Sequence, residues 1–155
     1  MEIKCVLEGH DRAVNWVDFH ISNNMVVSGG DDKKIKLWKY NDNKGWEYDT
    51  IYGHSNNVCC VGFRENLSII ISAGEDKALK IWDFNKRMLL MEMKKEDRFW
   101  VFANHRKENI IAAGHDNGFM IISLTHDRIP YVRIDDNYMI FIQGNQMFLH
   151  SLNTH

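Results

Sequence analysis

Apolar residues along the chain come in runs of five or six, each cut off by a polar cluster before helix length is reached. Three runs (14–19, 25–29, 35–40) are followed by three more (58–63, 69–73, 79–84) and by a third set (99–103, 109–113, 119–124). β-branched and aromatic residues fill the runs, and Asn, Asp, Gly and Lys fill gaps such as ISNN, GGDDKK and NDNKG. Further runs at 46–52 (WEYDTIY) and 88–93 (MLLMEM) close the first two sets. Val14, Val17 and Phe19 do not sustain the spacing of one helix face, so the pattern predicts strands throughout.

The strands repeat as units. SGGDDKKIKLWKY (28–40) returns as SAGEDKALKIWDF (72–84) and as AAGHDNGFMIISL (112–124). Ahead of these hairpins stand GHDRAVNWVDF (9–19), GHSNNVCCVGF (53–63) and KEDRFWVFANH (95–105), with Lys95 where the histidine stands in the other two. Four strands per unit of about 40 to 45 residues is a propeller-blade period. The expected fold is all-β: a partial β-propeller of three four-stranded blades plus the first strands of a following β unit. The expected boundaries are 1–8 for the outer strand of a preceding blade, 9–52 and 53–94 for two blades, and 95–125 for a degenerate third. Residues 126–155 would start another unit, as hairpin strands turning near Gly144-Asn145.

Gly9-His10, Ser28, Asp32 and Trp38, repeated as Gly53-His54, Ser72, Asp76 and Trp82-Asp83, resemble the landmarks of the WD-repeat family. That resemblance implies a hydrogen-bond chain joining histidine, serine, aspartate and tryptophan within each blade. The chemistry suits it: a neutral imidazole donates from one nitrogen and accepts on the other, and a buried indole N–H requires an acceptor. His10 and His54 are therefore read as structural. The third unit keeps Asp116 but has Lys95, Ala112 and Ile122 for the other members. Losing them together orphans no partner, and packing is expected to hold that hairpin instead.

Net charge is -2 over 155 residues, and the Lys and Asp pairs lie dispersed in turns, so no nucleic-acid partner is implied. The start MEIKCVLEGHDR lacks the pattern of a secretory signal, and no apolar run reaches membrane-spanning length. Pro130 is the single proline. Cys5, Cys59 and Cys60 make an odd set without zinc-ligand spacing, and the adjacent pair on a strand points to opposite faces. Inert thiols in a reducing, cytosolic setting are expected. No phosphate loop, metal motif or nucleophile–base pair emerges, and GHDNG (114–118) falls where the other hairpins turn. The sequence reads as non-enzymatic, without metal or cofactor.

Longer strings are more specific. EGHDRAVNWVDFH, SGGDDKKIKLWKYNDNKGWEYDTIYGHSNNV, EDRFWVFANH and AAGHDNGFMIISLTHDRIPY resemble the alpha-subunit family of coatomer, the COPI vesicle coat. That resemblance implies the last three blades of a seven-bladed propeller, with residues 126–155 beginning a second one. It implies a vesicle-coat subunit in Golgi-to-ER retrograde transport that recognises dilysine cargo signals and scaffolds the coat. Its implied partners are the beta-prime and epsilon coatomer subunits and the dilysine tails of membrane cargo. The implied location is the cytoplasm, on the cytosolic side of Golgi membranes and COPI-coated vesicles, with peripheral membrane association through the coat. The alternative is a generic WD-repeat scaffold in another assembly. Three blades cannot close a ring, so a fragment or truncated gene product with open apolar flanks, poorly soluble or self-associating, is expected.

Binding on a propeller uses loops near the channel mouth. At the start of the first strands these are Ala13, Asn15 and Trp16, then Asn57 and Cys59, then Arg98 and Trp100; at the turns they are Asp31, Glu75 and His115. Arg98 suits a carboxylate or a peptide carbonyl, or else pairs with Asp97 or another loop acid. Trp100 stacks on peptide or packs in the core. Asn15 and Asn57 continue the row, and Asp31 and Glu75 suit an ammonium or stay solvated.

Overall fold

The apolar runs pair as antiparallel ladders. The structure is a computed structural model that describes residues 2–124 and the strands 131–133, 138–143 and 146–151. Four strands, β1 (Val14–Phe19), β2 (Met25–Gly30), β3 (Ile35–Tyr40) and β4 (Gly45–Ile51), form the first sheet in chain order. β5 (Val58–Arg64), β6 (Ile69–Gly74), β7 (Ala78–Asp83) and β8 (Leu89–Lys94) repeat it, with a 3-10 turn at Glu65–Leu67. β9 (Phe99–Asn104), β10 (Ile110–His115) and β11 (Gly118–Ser123) form a third sheet of three strands among the described residues, one short of the four expected. Residues 2–8, expected as an outer strand, form no ladder with the described strands.

The chain divides into two compact units, Met1–Ser123 and Leu124–His155. The second holds an antiparallel sheet of β12 (Tyr131–Arg133), β13 (Tyr138–Gln143) and β14 (Gln146–Ser151). The expected turn at Gly144-Asn145 lies outside the described residues.

Within the first unit, β1 packs beside β5 and β5 beside β9. Met25, Val27, Leu37, Val58, Val61, Phe63 and Ile70 bury one shared core between the first two sheets. β5 is covered on both sides and is buried almost throughout, whereas β1 has a neighbour on one flank only and exposes Val14, Val17 and Phe19. The third sheet exposes Val101, Phe119 and Ile121 in the same way.

The seams between sheets carry polar bonds as well. Asn15 Nδ2 donates to the Val58 carbonyl (3.1 Å), and the Phe63 N–H donates to Asp18 Oδ2 (2.9 Å). At the next seam Asn104 Nδ2 donates to the Phe63 carbonyl (3.1 Å), and the Arg64 guanidinium donates to the carbonyls of His105 and Glu108. The Phe63 main chain is thus bonded into both neighbours.

Each of the first two sheets contains a polar chain. The Trp38 indole N–H donates to Ser28 Oγ (2.7 Å), Ser28 Oγ lies 2.6 Å from His10 Nε2, and His10 Nδ1 lies 2.8 Å from Asp32 Oδ2. In the second sheet the Trp82–Ser72, Ser72–His54 and His54–Asp76 distances are 2.8, 2.7 and 2.9 Å. One proton arrangement satisfies every group: indole to hydroxyl, hydroxyl to Nε2, and Nδ1–H to carboxylate. Burial pushes the Asp32 and Asp76 carboxyls up, but hydrogen bonds from the histidines and from main-chain N–H groups outweigh it and hold both below the ordinary carboxylate value. Their stabilising contribution is therefore complete above that ordinary value and is lost as pH falls through the depressed one.

Two buried lysines, unremarked in the sequence reading, extend each chain. Lys36 Nζ donates to Glu47 Oε2 (2.7 Å), and Lys80 Nζ lies 3.0 Å from Glu92 Oε1. Each sits two residues before its tryptophan, on the same strand face.

The third sheet departs further than the sequence indicates. Ser28 opposes Val17 and Lys36, Ser72 opposes Val61 and Lys80, and the residue opposing Phe102 and Met120 is Ala113, not Ala112. Its turn is also one residue shorter: Asp116 and Asn117 stand between paired His115 and Gly118, whereas three residues follow Gly30 and Gly74. Counted from the paired ends, Asp116 matches Asp31 and Glu75, and Asn117 takes the position of Asp32 and Asp76. All four members of the chain are replaced, not three, and Met120 replaces the buried lysine.

Ser72→Ala removes the shared hydroxyl and leaves the His54 and Trp82 nitrogens buried without partners. It should lower unfolding free energy by about 2–4 kcal/mol in urea denaturation. Ala113→Ser in the third sheet, at the register position of Ser72 but where no indole or imidazole awaits a hydroxyl, should gain nothing. A loss under about 0.5 kcal/mol for Ser72→Ala would remove the chain from its structural role.

Candidate functional site

The turns after β2, β6 and β10 lie beside the starts of β1, β5 and β9, because each β1–β2 type pair is antiparallel. An acid at the first turn position meets a donor from the strand start in every unit. Asn15 Nδ2 donates to Asp31 Oδ1 (2.7 Å), and Asn57 Nδ2 donates to Glu75 Oε1 (3.2 Å). In the third unit Asp116 accepts from the Arg98 main-chain N–H (3.0 Å), from Arg98 Nε and Nη2 (3.2 Å each) and from the Trp100 indole (2.8 Å). The structure thus brings all six proposed binding residues into one series of acid–donor pairs. Asp116 joins them, missed because a turn shortened by one residue hides its register.

Arg98 takes the structural option, with Asp116 in place of the neighbouring Asp97. Its guanidinium also stacks over Trp100, 4.7 Å from the ring centroid. Trp100 is 40% exposed, so of the two alternatives it does not pack in the core; the stacked guanidinium and the acceptor carboxylate hold its ring at the surface. The Arg98 main-chain N–H, the Trp100 indole and the Arg98 guanidinium together pull the Asp116 carboxyl down to about 2.

His115 has a different explanation from its neighbours in the turns. Its position is that of Gly30 and Gly74 in the other sheets. A Cβ on Gly74 would lie 2.8 Å from the Asn57 carbonyl and 3.0 Å from His54 Nδ1, and one on Gly30 would lie 2.5 Å from the Ala13 carbonyl, so the main chain of the strand start, with the imidazole beside it, demands glycine there. In the third sheet, where Lys95 replaces that histidine, the position carries a side chain. His115 Nδ1 then lies 3.0 Å from Asp97 Oδ2, and Asn117 Nδ2 donates to Asp97 Oδ1 (2.7 Å). The third hairpin is therefore held by a polar network of its own, centred on Asp97 and Asp116, rather than by packing alone.

Burial is the leading cause that pushes the thiols of Cys59 and Cys60 up to about 11. Cys5, Cys59 and Cys60 are all free thiols. Among the described residues no group of three or more His, Cys, Asp or Glu side chains is arranged to hold a metal ion, and no helix is long and apolar enough to cross a membrane. Ala13 and Trp16 flank the row, and Trp16 is 41% exposed.

Two measurements follow from these protonation states. Asp116 should titrate near pH 2, so the Trp100 indole NMR signal should hold steady from pH 7 to about 4 and move only below about 3. A midpoint near the ordinary carboxylate value would break the Arg98–Asp116–Trp100 arrangement. At pH 8 iodoacetamide should label Cys59 and Cys60 at least about tenfold more slowly than a free cysteine peptide, since little thiolate is present.

The geometry agrees with known proteins. The family model "WD domain, G-beta repeat" matches residues 1–39 and 45–83, the part that holds both complete polar chains. Over 142 residues the chain is 55% identical to "Coatomer subunit alpha-3" of Oryza sativa subsp. japonica, covering 91% of this chain and 12% of that protein. It is 57% identical over 136 residues to "Coatomer subunit alpha-2" of Arabidopsis thaliana, covering 87% and 11%. It is 52% identical over 145 residues to "Coatomer subunit alpha" of Saccharomyces cerevisiae, covering 93% and 12%. The chain thus spans about an eighth of the length of these curated relatives. With two blades that each join imidazole, hydroxyl, carboxylate and indole, and with a matching family model over those same residues, the chain belongs to the WD-repeat family.

Proposed function

We propose that the chain is a section of an alpha-type subunit of the COPI coat, acting without catalysis in Golgi-to-ER retrieval, and that the acid–donor series receives C-terminal dilysine signals of membrane cargo. Similarity to coatomer alpha subunits over about nine-tenths of the chain supports the coat assignment. In this reading the beta-prime and epsilon coatomer subunits are its partners, and it works on the cytosolic side of Golgi membranes and COPI vesicles. The first unit is the end of one propeller, and residues 126–155 begin the next.

One observation carries the cargo assignment: Asp31 and Glu75 each spend one carboxylate oxygen on an asparagine amide and keep the other for a ligand. A carboxylate fixed in this way presents a ready acceptor to a lysine ammonium. Asn15 and Asn57 position the acids rather than touch the ammonium. Arg98 gives Nε and Nη2 to Asp116, which leaves Nη1 for a peptide carbonyl or the terminal carboxylate. The exposed Trp100 ring supplies apolar contact beside it.

Isothermal titration of a Lys-x-Lys-x-x peptide tests the assignment. Glu75→Gln and Asp31→Asn should each weaken binding by about fivefold, and more at low salt. Arg98→Ala should weaken it further, because it releases Asp116 and Trp100 as well. Equal affinity for all three variants removes the row from the cargo site. No binding of the peptide by the protein favours a general WD-repeat scaffold.

A further inference from the structure

A second cleft lies at the outer rim, where the β3–β4 hairpin of the first sheet meets the β7–β8 turn of the second. It encloses about 410 Å³ and is walled by Lys39, Tyr40, Trp46, Tyr48, Phe84 and Arg87. Both walls belong to complete four-stranded sheets, so its shape is set within this chain. It shares no residue with the acid–donor series.

Lys39 and Arg87 line the cleft, Lys44 stands beside it, and all three lie near its rings. Lys39 Nζ lies 3.9 Å from the Tyr48 centroid, Lys44 Nζ lies 5.9 Å from that of Trp46, and the Arg87 guanidinium lies 4.9 Å from Phe84 and 5.5 Å from Tyr48. A cationic ligand would meet like charge there. Carboxylates are scarce in the cleft. Among the described residues Lys39 and Lys44 join no ion pair, and Arg87 meets only Asp49, 3.2 Å from Nε. That contact is out of line for a hydrogen bond, so Arg87 Nε and Nη1 are buried without an acceptor. Two cations, Lys39 and Arg87, line the cleft with no acid among its lining residues, and Lys44 stands beside it over Trp46; this leaves the cleft electropositive, and a guanidinium with unpaired donors favours a carboxylate.

Two features distinguish a peptide from a simple anion. Asn23, Asn24 and Asn85 line one end and offer amide donors and acceptors suited to a peptide main chain. Trp46 and Tyr48 remain 42% and 47% exposed, which gives flat apolar area of the kind that anchors a partner's aromatic side chain. A phospholipid headgroup would engage the cations and leave the three amides idle.

We propose that this rim cleft docks an acidic peptide segment of a partner protein, its carboxylates received by Lys39, Lys44 and Arg87 and an aromatic side chain laid on Trp46. The site goes beyond the cargo reading and stands or falls apart from it.

Fluorescence anisotropy with a labelled Glu-Glu-Trp-Glu-Glu-Trp-Glu peptide tests it, beside the same peptide with serine for tryptophan and phosphatidylserine-containing vesicles. The tryptophan peptide should bind. Lys39→Glu and Lys44→Glu should each weaken it about tenfold, and Trp46→Ser about fivefold, with melting temperatures unchanged. Amide NMR shifts should cluster at Asn24, Lys39, Tyr48 and Asn85. Equal binding of the serine peptide, undiminished affinity in Lys39→Glu, shifts confined elsewhere, or binding to vesicles without binding to the peptide would each overturn the proposal. Loss of dilysine-peptide binding in Glu75→Gln with rim binding intact would leave it standing.

Discussion

A neutral imidazole held between a carboxylate and a hydroxyl governs the first two sheets. His10 and His54 each tie the segment before an innermost strand to the turn after the second strand, and the same serine binds the tryptophan of the third. Two strands, the turn between them and the segment leading into the first strand are thereby fixed by a handful of polar atoms. Because a single proton arrangement satisfies every group, removing the serine or the histidine strands two others in a region that excludes water. The glycine of each turn lies against the same ring, and the main-chain carbonyl of Ala13 or Asn57 takes the space that a Cβ would need.

Where that ring is missing, its dependents change with it. The third sheet has lost histidine, serine, aspartate, tryptophan and the buried lysine together. In their place it gains His115 at the glycine position, bonded to Asp97, and the Arg98–Trp100–Asp116 cluster. Two acids that look like ordinary loop residues in the sequence become the centres of the replacement network. A hairpin of the same backbone plan is therefore held by different chemistry.

Much of this was legible in the sequence. Short apolar runs bounded by turn residues and a repeat of about 40 to 45 residues gave strands, units and the polar chains, because His10, Ser28, Asp32 and Trp38 recur at near-identical spacing. The third unit was misaligned because spacing from the turn cannot reveal a turn shortened by one residue; ladder pairing is needed to see that Ala113, and not Ala112, opposes Phe102. Lys36 and Lys80 were readable in principle, two residues before each tryptophan, but a lysine is ordinarily taken to be solvated. The partners of Asp31, Glu75 and Asp116 were beyond the sequence, since strand starts and turns 16 to 18 residues apart meet only once the register is known.

The two seams beside β5 use different bonds. One runs from Asn15 and Asp18 onto the main chain of the second sheet, the other from Arg64 and Asn104 across to the third. Hairpins that look interchangeable by their internal landmarks are thus marked for their neighbours at the edges. A shuffled order of the same three units would set Ala103 where Asp18 must accept the Phe63 N–H, so succession around the ring is inscribed in the joints, and duplicated blades diverge there into parts with fixed addresses.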